Sequence, residues 1–515
     1  MTTIREQVVS PSIATPLNRI VENLAGGADA VLVGPPGSGL SAVAEMATLA
    51  LKDQGIRVIK LDCRTITPWQ EAHRQACAAA GKIASNAELS PVLLLDHCGD
   101  LEVRDVMDLY QAATALEPFQ FHARLWVGSF DCRCSEFEAG FPATRNPRSL
   151  FLMPDYHRDD LLRIYSVIGQ KGECEWGEAI LYFLHDWCGS DLSLVEGIST
   201  YLYGNWRERL YDDSVADCLE RWLRDDPAVD EYRRYLRTLQ GPRRDYVRLL
   251  CSGGKVPCRA TAIEHETDST LRALYFDGLI IQNLIPGFYQ FRNLTVKLLA
   301  MQREATTGVA PASLLRRSTN SRAIAVLQDT EVSLRHLLGR CFSAKGLLDV
   351  KRRLSETKTD EMPISSELRR SLLGWAREAG SEGLQQKLLR HLTDYTKDFY
   401  STRNLWSRVC RLHTELDENP RELQDPPLEK VAEYLTFNEL GDLILNLCPE
   451  VFPNWGKETS GRQPPAKRWP TYLARLRRLR NQSAHLRNIT FQDMEDLLST
   501  SEEMRRDMIE YITHG

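Results

Sequence analysis

The feature that most constrains the fold is a glycine-rich segment between a short apolar run and a helical pattern. Ala30 to Val33 (AVLV) has the composition of a buried strand, and GPPGSGLS follows it from Gly34 to Ser41. The next stretch, AVAEMATLALKDQG, places apolar residues at helical spacing. A strand, a glycine-rich loop and a helix form the setting in which backbone N–H groups and a helix N-terminus hold phosphate. These residues therefore predict an α/β unit with a phosphate-binding loop.

Further short apolar runs follow the loop and are separated by longer stretches. They are GIRVIKLDCR (55–64), PVLLLDHCGDL (91–101), ARLWVGSFD (123–131) and SLFLMP (149–154). Strands that alternate with helices favour a parallel sheet. We therefore expect one α/β core that contains these runs and the strand before the loop.

These residues resemble the P-loop ATPases of the AAA+ and STAND type over residues 15–225. The positions that match the Walker A pattern are Gly34, Gly37, Gly39 and Ser41. Asp96 matches the Walker B aspartate, and Ser129 lies where that group has a sensor residue. The segment LMPDYHRDDLLRIYSVI resembles the family's passage from the last strand into a helical lid.

Two positions depart from the family pattern. Leu40 stands where Walker A has a lysine that carries positive charge to the β- and γ-phosphates. His97 stands where the family usually has a second acid that polarises water. We therefore predict a degenerate module that binds ATP or ADP without efficient hydrolysis, or that only scaffolds. Backbone amides and Ser41 could still hold a nucleotide, because they do not depend on the lysine. An ATP-hydrolysing motor and a chance glycine loop are the alternatives.

Changes of composition along the chain predict a division into several segments. Strand signals of the first sheet end before residue 157, and a stretch rich in Thr, Ser, Gly and Pro begins at residue 302. The predicted segments are a P-loop core (1–157), a helical lid (158–228), a winged-helix unit (229–303), a linker (304–320) and an all-α C-terminal domain (321–515).

The middle of the chain resembles a winged-helix domain. WLRDDPAVDEY is interpreted as the linker into it. A helix, a turn at Gly253 and Gly254, two further helices and the strands GLIIQNL and FYQF follow. The helix before these strands carries Arg272 as its only cation, which favours packing or protein contact over DNA reading.

Strand signals nearly vanish after Ser321. SRAIAVLQDTEVSLRHLLGRCF repeats apolar residues at intervals of three and four, which predicts a long helix, and LRRSLLGWAREAG and GLQQKLLRHLTDYTKDFY are helical too. Thr436 and Thr490 stand at N-cap positions of later helices, and Asp493 follows Thr490 by three residues.

The segment RLRRLRNQSAHLRN has two interpretations. Its leucines form a helical stripe, so the arginines could simply be a solvated face. Alternatively, Arg480, Asn481 and His485 could form an active site. The spacing alone carries little weight, because Arg408 and His413 share it in an arginine-rich chain.

The helical geometry of this second interpretation is demanding. Asn481 and His485 lie four residues apart and share a helix face. Arg480 lies about 140° round an ideal helix from His485. The side chains can therefore converge only if the helix breaks near Asn481 to Ser483 or if a second chain completes the site.

The C-terminal segment, residues 321–515, resembles HEPN, an all-α family with an Arg-polar-x(3–5)-His motif on late helices. The long helix with Glu331 and Leu334–Arg335 resembles its opening helix. LTFNELGDLI, an aromatic loop with Trp455, and YLARLRRLRNQSAHLRNITFQDM follow in the order of a HEPN subgroup often found beside ATPase modules.

The resemblance implies a homodimer that cleaves RNA without a metal or other cofactor and leaves a 2′,3′-cyclic phosphate. Arg480 would offer a planar charged fork to the phosphate, and His485 would exchange protons. Asn481 would orient His485 or a phosphate oxygen. The residues expected to contact the RNA backbone are Arg475, Arg477, Arg478 and Arg487. DNA lacks the 2′-OH and should not be cut.

Bulk properties agree with a multidomain globular protein. The 515 residues exceed one hydrophobic core, and the net charge of −6 confines any RNA contact to local basic patches. The 13 cysteines form no CxxC pair and no zinc-finger spacing, so we expect reduced thiols and no metal site. No apolar leader and no transmembrane run is visible, so we expect a cytoplasmic protein without membrane contact.

These patterns together predict a regulated endoribonuclease. The P-loop module would sense or scaffold, with protein partners of its own, and the HEPN pair would cut RNA, as in antiviral-defence or toxin-type effectors. The rival hypothesis is a non-enzymatic dimeric scaffold or adaptor. A DNA-bound ATPase is the least favoured, because of Leu40 and the weakly basic winged-helix segment.

Overall fold

The structure is a computed structural model whose contacts divide the chain into two units. The N-terminal unit is Met1–Ser318 and the C-terminal unit is Thr319–Gly515. The residues that the structure describes are 11–63, 91–98, 121–129, 150–153, 156, 158–171, 176–205, 212–283, 287–304, 309–357, 374, 386–390, 404–415, 425–458, 462–484 and 489–513.

The N-terminal unit begins with a parallel α/β sheet, which confirms the predicted core. Its strands are β1 (Ala30–Val33), β2 (Val58–Asp62), β3 (Val92–Asp96), β4 (Ala123–Gly128) and β5 (Leu150–Leu152). Their order is β2-β3-β4-β1-β5, and every pairing is parallel. β1 and β3 are buried along their whole length, which explains their continuous apolar sequences. Helices α1 (Pro11–Ala25) and α2 (Leu40–Asp53) pack on the sheet around a shared apolar core.

A series of helices follows the sheet. They are α3 (Arg158–Lys171), α4 (Glu178–Cys188), α5 (Leu192–Asn205), α6 (Asp212–Asp225) and α7 (Pro227–Thr238). The linker predicted at WLRDDPAVDEY is wrong, because α6 and α7 occupy it. Asp226 caps α7 by accepting the backbone N–H groups of Ala228 and Val229, and Pro227 suits the first helical position.

The next part combines helices with a small antiparallel sheet. Its elements are α8 (Gly241–Cys251), β6 (Val256–Pro257), α9 (Ser269–Phe276), β7 (Ile280–Asn283), β8 (Phe288–Phe291) and α10 (Leu294–Glu304), with strand order β6-β8-β7. The second helix predicted here is only a 3-10 turn at Ile263–His265, and the residues before it form β6. Val256 pairs with Tyr289, and Pro257 cannot donate a helical hydrogen bond, so the segment joins the sheet. Its description as a winged helix stays a prediction.

Every regular element described in the C-terminal unit is a helix. These are α11 (Pro311–Lys345), α12 (Leu347–Glu356), α13 (Leu405–Glu415), α14 (Leu428–Val431), α15 (Phe437–Val451), α16 (Pro465–Ala484) and α17 (Phe491–Thr513), besides a short 3-10 turn at Ala432–Tyr434. Residues 311–318 of α11 belong to the N-terminal unit. The predicted helices LRRSLLGWAREAG and GLQQKLLRHLTDYTKDFY lie outside the described residues except at 374 and 386–390.

The starts of α11, α15 and α17 lie close to residues that the sequence marked as a linker or as helix caps. The linker predicted at 304–320 contains the boundary between the two units, but its residues 311–320 are helical, because α11 begins at Pro311 and buries Leu314 and Leu315. Thr436 is confirmed as an N-cap, since it forms a reciprocal capping box with the third residue of α15. Thr490 likewise accepts the backbone N–H of Asp493 at the start of α17, at 3.0 Å.

Candidate functional site

The glycine-rich loop has the geometry of a phosphate-binding loop. β1 lies between β4 and β5 although the chain goes from β1 to the far edge, so the loop leaves the sheet at a topological switch point. Gly37 and Gly39 adopt left-handed φ values of 70° and 88°, which only glycine adopts without strain. α2 then starts at Leu40, and its N-terminal N–H groups end at this loop. All five predicted residues, Gly34, Gly37, Gly39, Ser41 and Asp96, lie in or beside this arrangement.

Asp96 at the end of β3 is the centre of a polar group that we call the Asp96 cluster: Asp96, Ser41, Lys60, Asp62 and His97. Asp96 is 1% exposed, and its Oδ1 accepts the Ser41 hydroxyl and the His97 backbone N–H, both at 3.0 Å. The ammonium of Lys60 lies 2.9 Å from Oδ2. His97 Nδ1 lies 3.3 Å from Asp62 Oδ1, and its Nε2 lies 3.4 Å from Ser41 Oγ. Asp96 therefore accepts hydrogen bonds at Oδ1, whereas Oδ2 has the Lys60 ammonium nearby as an ion pair without a hydrogen bond.

His97 is held in an unusual backbone conformation. Its φ of 60° is the one positive value among the described non-glycine residues. A left-handed residue without a glycine's freedom is strained, and such residues concentrate at functional sites. The conformation turns the imidazole back toward Ser41 and Asp62. The residue predicted only as a missing acid is therefore a contact of the loop serine.

Lys60 was not singled out in the sequence. It lies in β2, two residues before Asp62, and the parallel register places Asp62 opposite Asp96. The sequence gives no signal for it, because Lys60 is exposed on the edge strand β2, where a lysine is ordinary. Knowing its partner requires the pairing of β2 with β3.

A divalent cation does not fit the Asp96 cluster in this geometry. In P-loop enzymes the loop Ser/Thr and the Walker B aspartate hold Mg²⁺, here Ser41 and Asp96. Ser41 instead donates to Asp96 directly, and the ammonium of Lys60 lies at the other carboxylate oxygen. A dication at this place would have to displace Lys60 and would be repelled by it.

Two buried side chains from the part of the unit that follows the sheet, Asp191 and Arg292, contact the glycine-rich loop. Arg292 and Asp191 are each 1% exposed and lie 3.8 Å apart. Arg292 Nη1 donates to the carbonyl of Pro36, and Tyr232 donates to Asp191 at 2.6 Å. A Cβ atom on Gly37 would lie 1.9 Å from Asp191 Oδ1, so only glycine fits there. The loop conformation is therefore set partly by contacts far away in the sequence.

Arg480, in the last two turns of α16, is half exposed and held from two sides. Its Nε lies 3.4 Å from Glu331 Oε2 on α11, and its guanidinium lies 5.6 Å from the centre of the Phe437 ring. Asn481 is exposed. α16 continues to Ala484, so the helix break predicted near Asn481 to Ser483 is wrong: the backbone stays helical through these positions. His485 lies outside the described residues.

The arginines expected to contact RNA have partners inside the unit. Polar groups on neighbouring helices accept from Arg475 (Thr500, 3.2 Å), Arg477 (Asp442 and the Asn438 carbonyl) and Arg478 (Asp493, 3.1 Å). Arg487 lies outside the described residues. RNA would have to compete with the carboxylates for Arg477 and Arg478, both of which form exposed ion pairs that cost little to separate.

The second Arg–His pair of the same spacing is structural. Arg408 is 2% exposed and pairs with Glu439, which is equally buried. His413 Nδ1 lies 2.9 Å from the Tyr434 hydroxyl. Burial removes Arg408 from any substrate, so the two similar motifs have different environments.

Comparisons with known proteins gave solved structures only. Neither a protein-family profile nor a curated relative matches the sequence. A Walker-type ATPase of Pyrococcus abyssi is 11% identical, with 56% of this chain and 95% of that chain covered and a TM-score of 0.39. The RuvB Holliday junction branch migration motor of Thermotoga maritima is 16% identical, with 53% and 90% covered and a TM-score of 0.32. Domain III of the replication initiation protein DnaA of Thermotoga maritima is 12% identical, with 42% and 94% covered and a TM-score of 0.33. Because these TM-scores are low, the P-loop assignment rests on the contacts within this chain.

Within the described residues, every helix is too short or too polar to span a bilayer.

Proposed function

We propose that this chain is a HEPN-type endoribonuclease that needs no metal, and that its P-loop unit binds ATP or ADP without efficient hydrolysis and regulates or scaffolds the nuclease. The observation that carries the proposal is the environment of Arg480. The Arg480 side chain is 44% exposed, and its guanidinium is held by Glu331 and Phe437, five residues before His485. Arg408, with the same spacing to a histidine, is enclosed instead.

The proposed chemistry needs only these side chains and the RNA. The 2′-oxygen attacks the adjacent phosphorus, the P–O5′ bond breaks, and the products are a 2′,3′-cyclic phosphate and a 5′-hydroxyl. An imidazole with an ordinary pKa of about 6.5 can take up and release protons at neutral pH, which is the role of His485. Arg480 stabilises the charge on the pentavalent phosphate, and Asn481 orients the imidazole or a phosphate oxygen.

Glu331 acts as a positioning residue in this scheme. Its carboxylate pairs with Arg480 and also accepts from Arg335 on the same helix. Arg335 in turn donates to the carbonyls of Ala432 and Leu435, which anchors Glu331 to the 3-10 turn at Ala432–Tyr434. A fixed carboxylate keeps the Arg480 fork in one orientation before the phosphate arrives.

The continuous helix supports a site completed by a homodimer. α16 stays helical through Ala484, so the chain does not break at Asn481 to Ser483, which was the first of the two ways in which the site could form. Within one ideal helix, Arg480 and His485 would point about 140° apart. Pairing Arg480 of one chain with His485 of another brings them together, and light-scattering mass measurement tests this. An active strict monomer would contradict the composite site.

The nuclease is tested with purified full-length protein and single-stranded RNA in EDTA. We expect cleavage by the wild type, a cyclic phosphate at the new 3′ ends, and no cleavage of DNA of the same sequence. His485→Ala and Arg480→Met should abolish cleavage. The matched control is Arg505→Ala, which removes an exposed arginine of α17 and should leave cleavage unchanged. Absence of cleavage by the wild type, or equal cleavage by His485→Ala, would refute the nuclease.

The second candidate is a non-enzymatic dimeric scaffold or adaptor. The pairing of Arg477 and Arg478 with acidic residues favours it, because paired arginines attract RNA less strongly. The same assay separates the two functions, since a scaffold would dimerise without cutting RNA. A role as a DNA-bound ATPase has less support, because Arg272 is buried and donates to the Glu266 carbonyl at 2.7 Å.

The nucleotide unit has its own test. Because Leu40 replaces the Walker lysine and Lys60 occupies the Asp96 cluster, we expect phosphate release from ATP at the background rate. Robust ATP turnover by the wild type would contradict a degenerate P-loop.

A further inference from the structure

We infer that the ammonium of Lys60 takes the place of Mg²⁺ at this phosphate loop, so that the N-terminal unit binds a nucleoside di- or triphosphate without a divalent cation. The inference rests on the proposed nucleotide binding and adds how the phosphate charge is neutralised. It starts from the disagreement between the Asp96 cluster and a magnesium site.

The pairing of β2 with β3 brings Lys60 close to the loop. β2 pairs with β3 in parallel register, with Lys60 opposite Leu94 and Asp62 opposite Asp96. The lysine side chain reaches 2.9 Å from Asp96 Oδ2, and Ser41 of the loop lies at the other oxygen of the same carboxylate. Lys60 and Ser41, the second residue of α2, therefore contact opposite oxygens of the same carboxylate.

Both oxygens of Asp96 already have neighbouring groups. A magnesium-binding carboxylate has to present an oxygen to the ion or its waters. Oδ1 of Asp96 already accepts two donors, from Ser41 and from the His97 backbone, and Oδ2 lies against an ammonium. The carboxylate is also buried, so its charge needs a partner, and Lys60 is that partner. In this geometry the Lys60 ammonium lies where a metal ion would need the Asp96 carboxylate.

The negative charge of bound phosphates has to be offset by positive groups of the protein. Walker lysine and magnesium normally supply three positive charges there, and Leu40 removes one of them. The Lys60 side chain is 45% exposed, so its ammonium can face an incoming phosphate while its stem stays on the strand. Because the Asp96 and Asp62 carboxylates offset part of the charge of Lys60, the backbone N–H groups of the loop and the start of α2 supply the rest of the attraction. Without a metal between the phosphates, the bound triphosphate should remain uncleaved.

Titration of the full-length protein with mant-ADP and mant-ATP tests the inference. For the wild type we expect the same Kd in EDTA and in excess magnesium chloride, within about threefold. Lys60→Met should weaken binding in EDTA by about tenfold to a hundredfold, the loss expected for one charge-assisted contact. Magnesium should restore much of that loss, because Asp96 is then open to the ion. Lys52→Met removes another exposed lysine of the same unit and should change nothing.

The outcomes separate this inference from the proposed function. Binding by the wild type that appears only with magnesium overturns the role of Lys60 and leaves nucleotide binding intact. Absence of binding under both conditions overturns nucleotide binding itself, and the inference with it. Equal Kd values for Lys60→Met and the wild type in EDTA also overturn it, provided that circular dichroism shows a folded variant. Lys60→Arg keeps the charge and should bind in EDTA; the wild-type comparison decides the matter even if the methionine variant does not fold.

Discussion

Arg408 and Arg480 should respond in opposite ways to the same substitution. Arg408 and Glu439 form an ion pair in which both side chains are almost fully buried, and Arg408 also donates to the Tyr434 carbonyl. Arg408→Met keeps much of the aliphatic stem but leaves the Glu439 carboxylate buried without its cation. Breaking a buried pair from one side costs about 3–5 kcal/mol of the free energy of unfolding. We expect a loss of this size around α15, whose N-terminus contains Glu439.

Arg480→Met should affect stability far less. Its partner Glu331 is more exposed than Glu439, and Arg480 itself is half exposed. An ion pair of this kind contributes below about 1 kcal/mol, and the contact with the Phe437 ring adds about 0.5–1 kcal/mol. We therefore expect a nearly native fold with RNA cleavage abolished, whereas Arg408→Met should lower activity only as far as it unfolds the unit.

Hydrogen–deuterium exchange with mass spectrometry is the suitable assay, because a multidomain chain has no single free energy of unfolding. A loss of about 3–5 kcal/mol corresponds to exchange of the α15 amides that is roughly two to nearly four orders of magnitude faster. For Arg480→Met the acceleration should stay below about thirtyfold. Exchange of α15 that is unchanged in Arg408→Met, or equally accelerated in both variants, would refute the assignment of Arg408 as structural.

Three further expectations concern the N-terminal unit. Gly37→Ala should lower the free energy of unfolding by about 1–3 kcal/mol and weaken mant-ADP binding, because its Cβ would meet Asp191. The control for binding is Gly55→Ala, because Gly55 also has a left-handed φ but nothing lies within 4 Å of an added Cβ. Leu40→Lys should lower the melting temperature without restoring ATP turnover, since Leu40 belongs to the core; restored turnover in a phosphate-release assay would contradict this. A hydrogen bond to a neighbouring thiol and burial raise the pKa of Cys98 well above its ordinary value, so it stays protonated at pH 8. Peptide mapping after iodoacetamide should find it unlabelled in the native protein, and rapid labelling would contradict its burial.

The sequence predicted the elements whose causes are local. Continuous apolar runs identified β1 and β3, since a strand buried on both faces has no polar alternation. Glycines at left-handed positions marked the loop, and Thr436 marked a helix start, because a side-chain cap needs only neighbours three residues away. The errors also have local causes: Asp226 and Pro227 resemble a linker but serve as an N-cap and first helical residue, and Pro311 starts a helix in a stretch with weak periodicity.

The sequence by itself therefore determined the phosphate loop, the missing lysine at Leu40 and the pair of Arg–His motifs. The tertiary structure alone decided that Lys60 meets Asp96, and that Arg408 is enclosed while Arg480 stays accessible. The physical reason is that hydrogen bonds within a turn depend on a few neighbouring residues. The charge environment of a side chain depends instead on which distant strands and helices pack together, and spacing along one element does not encode that.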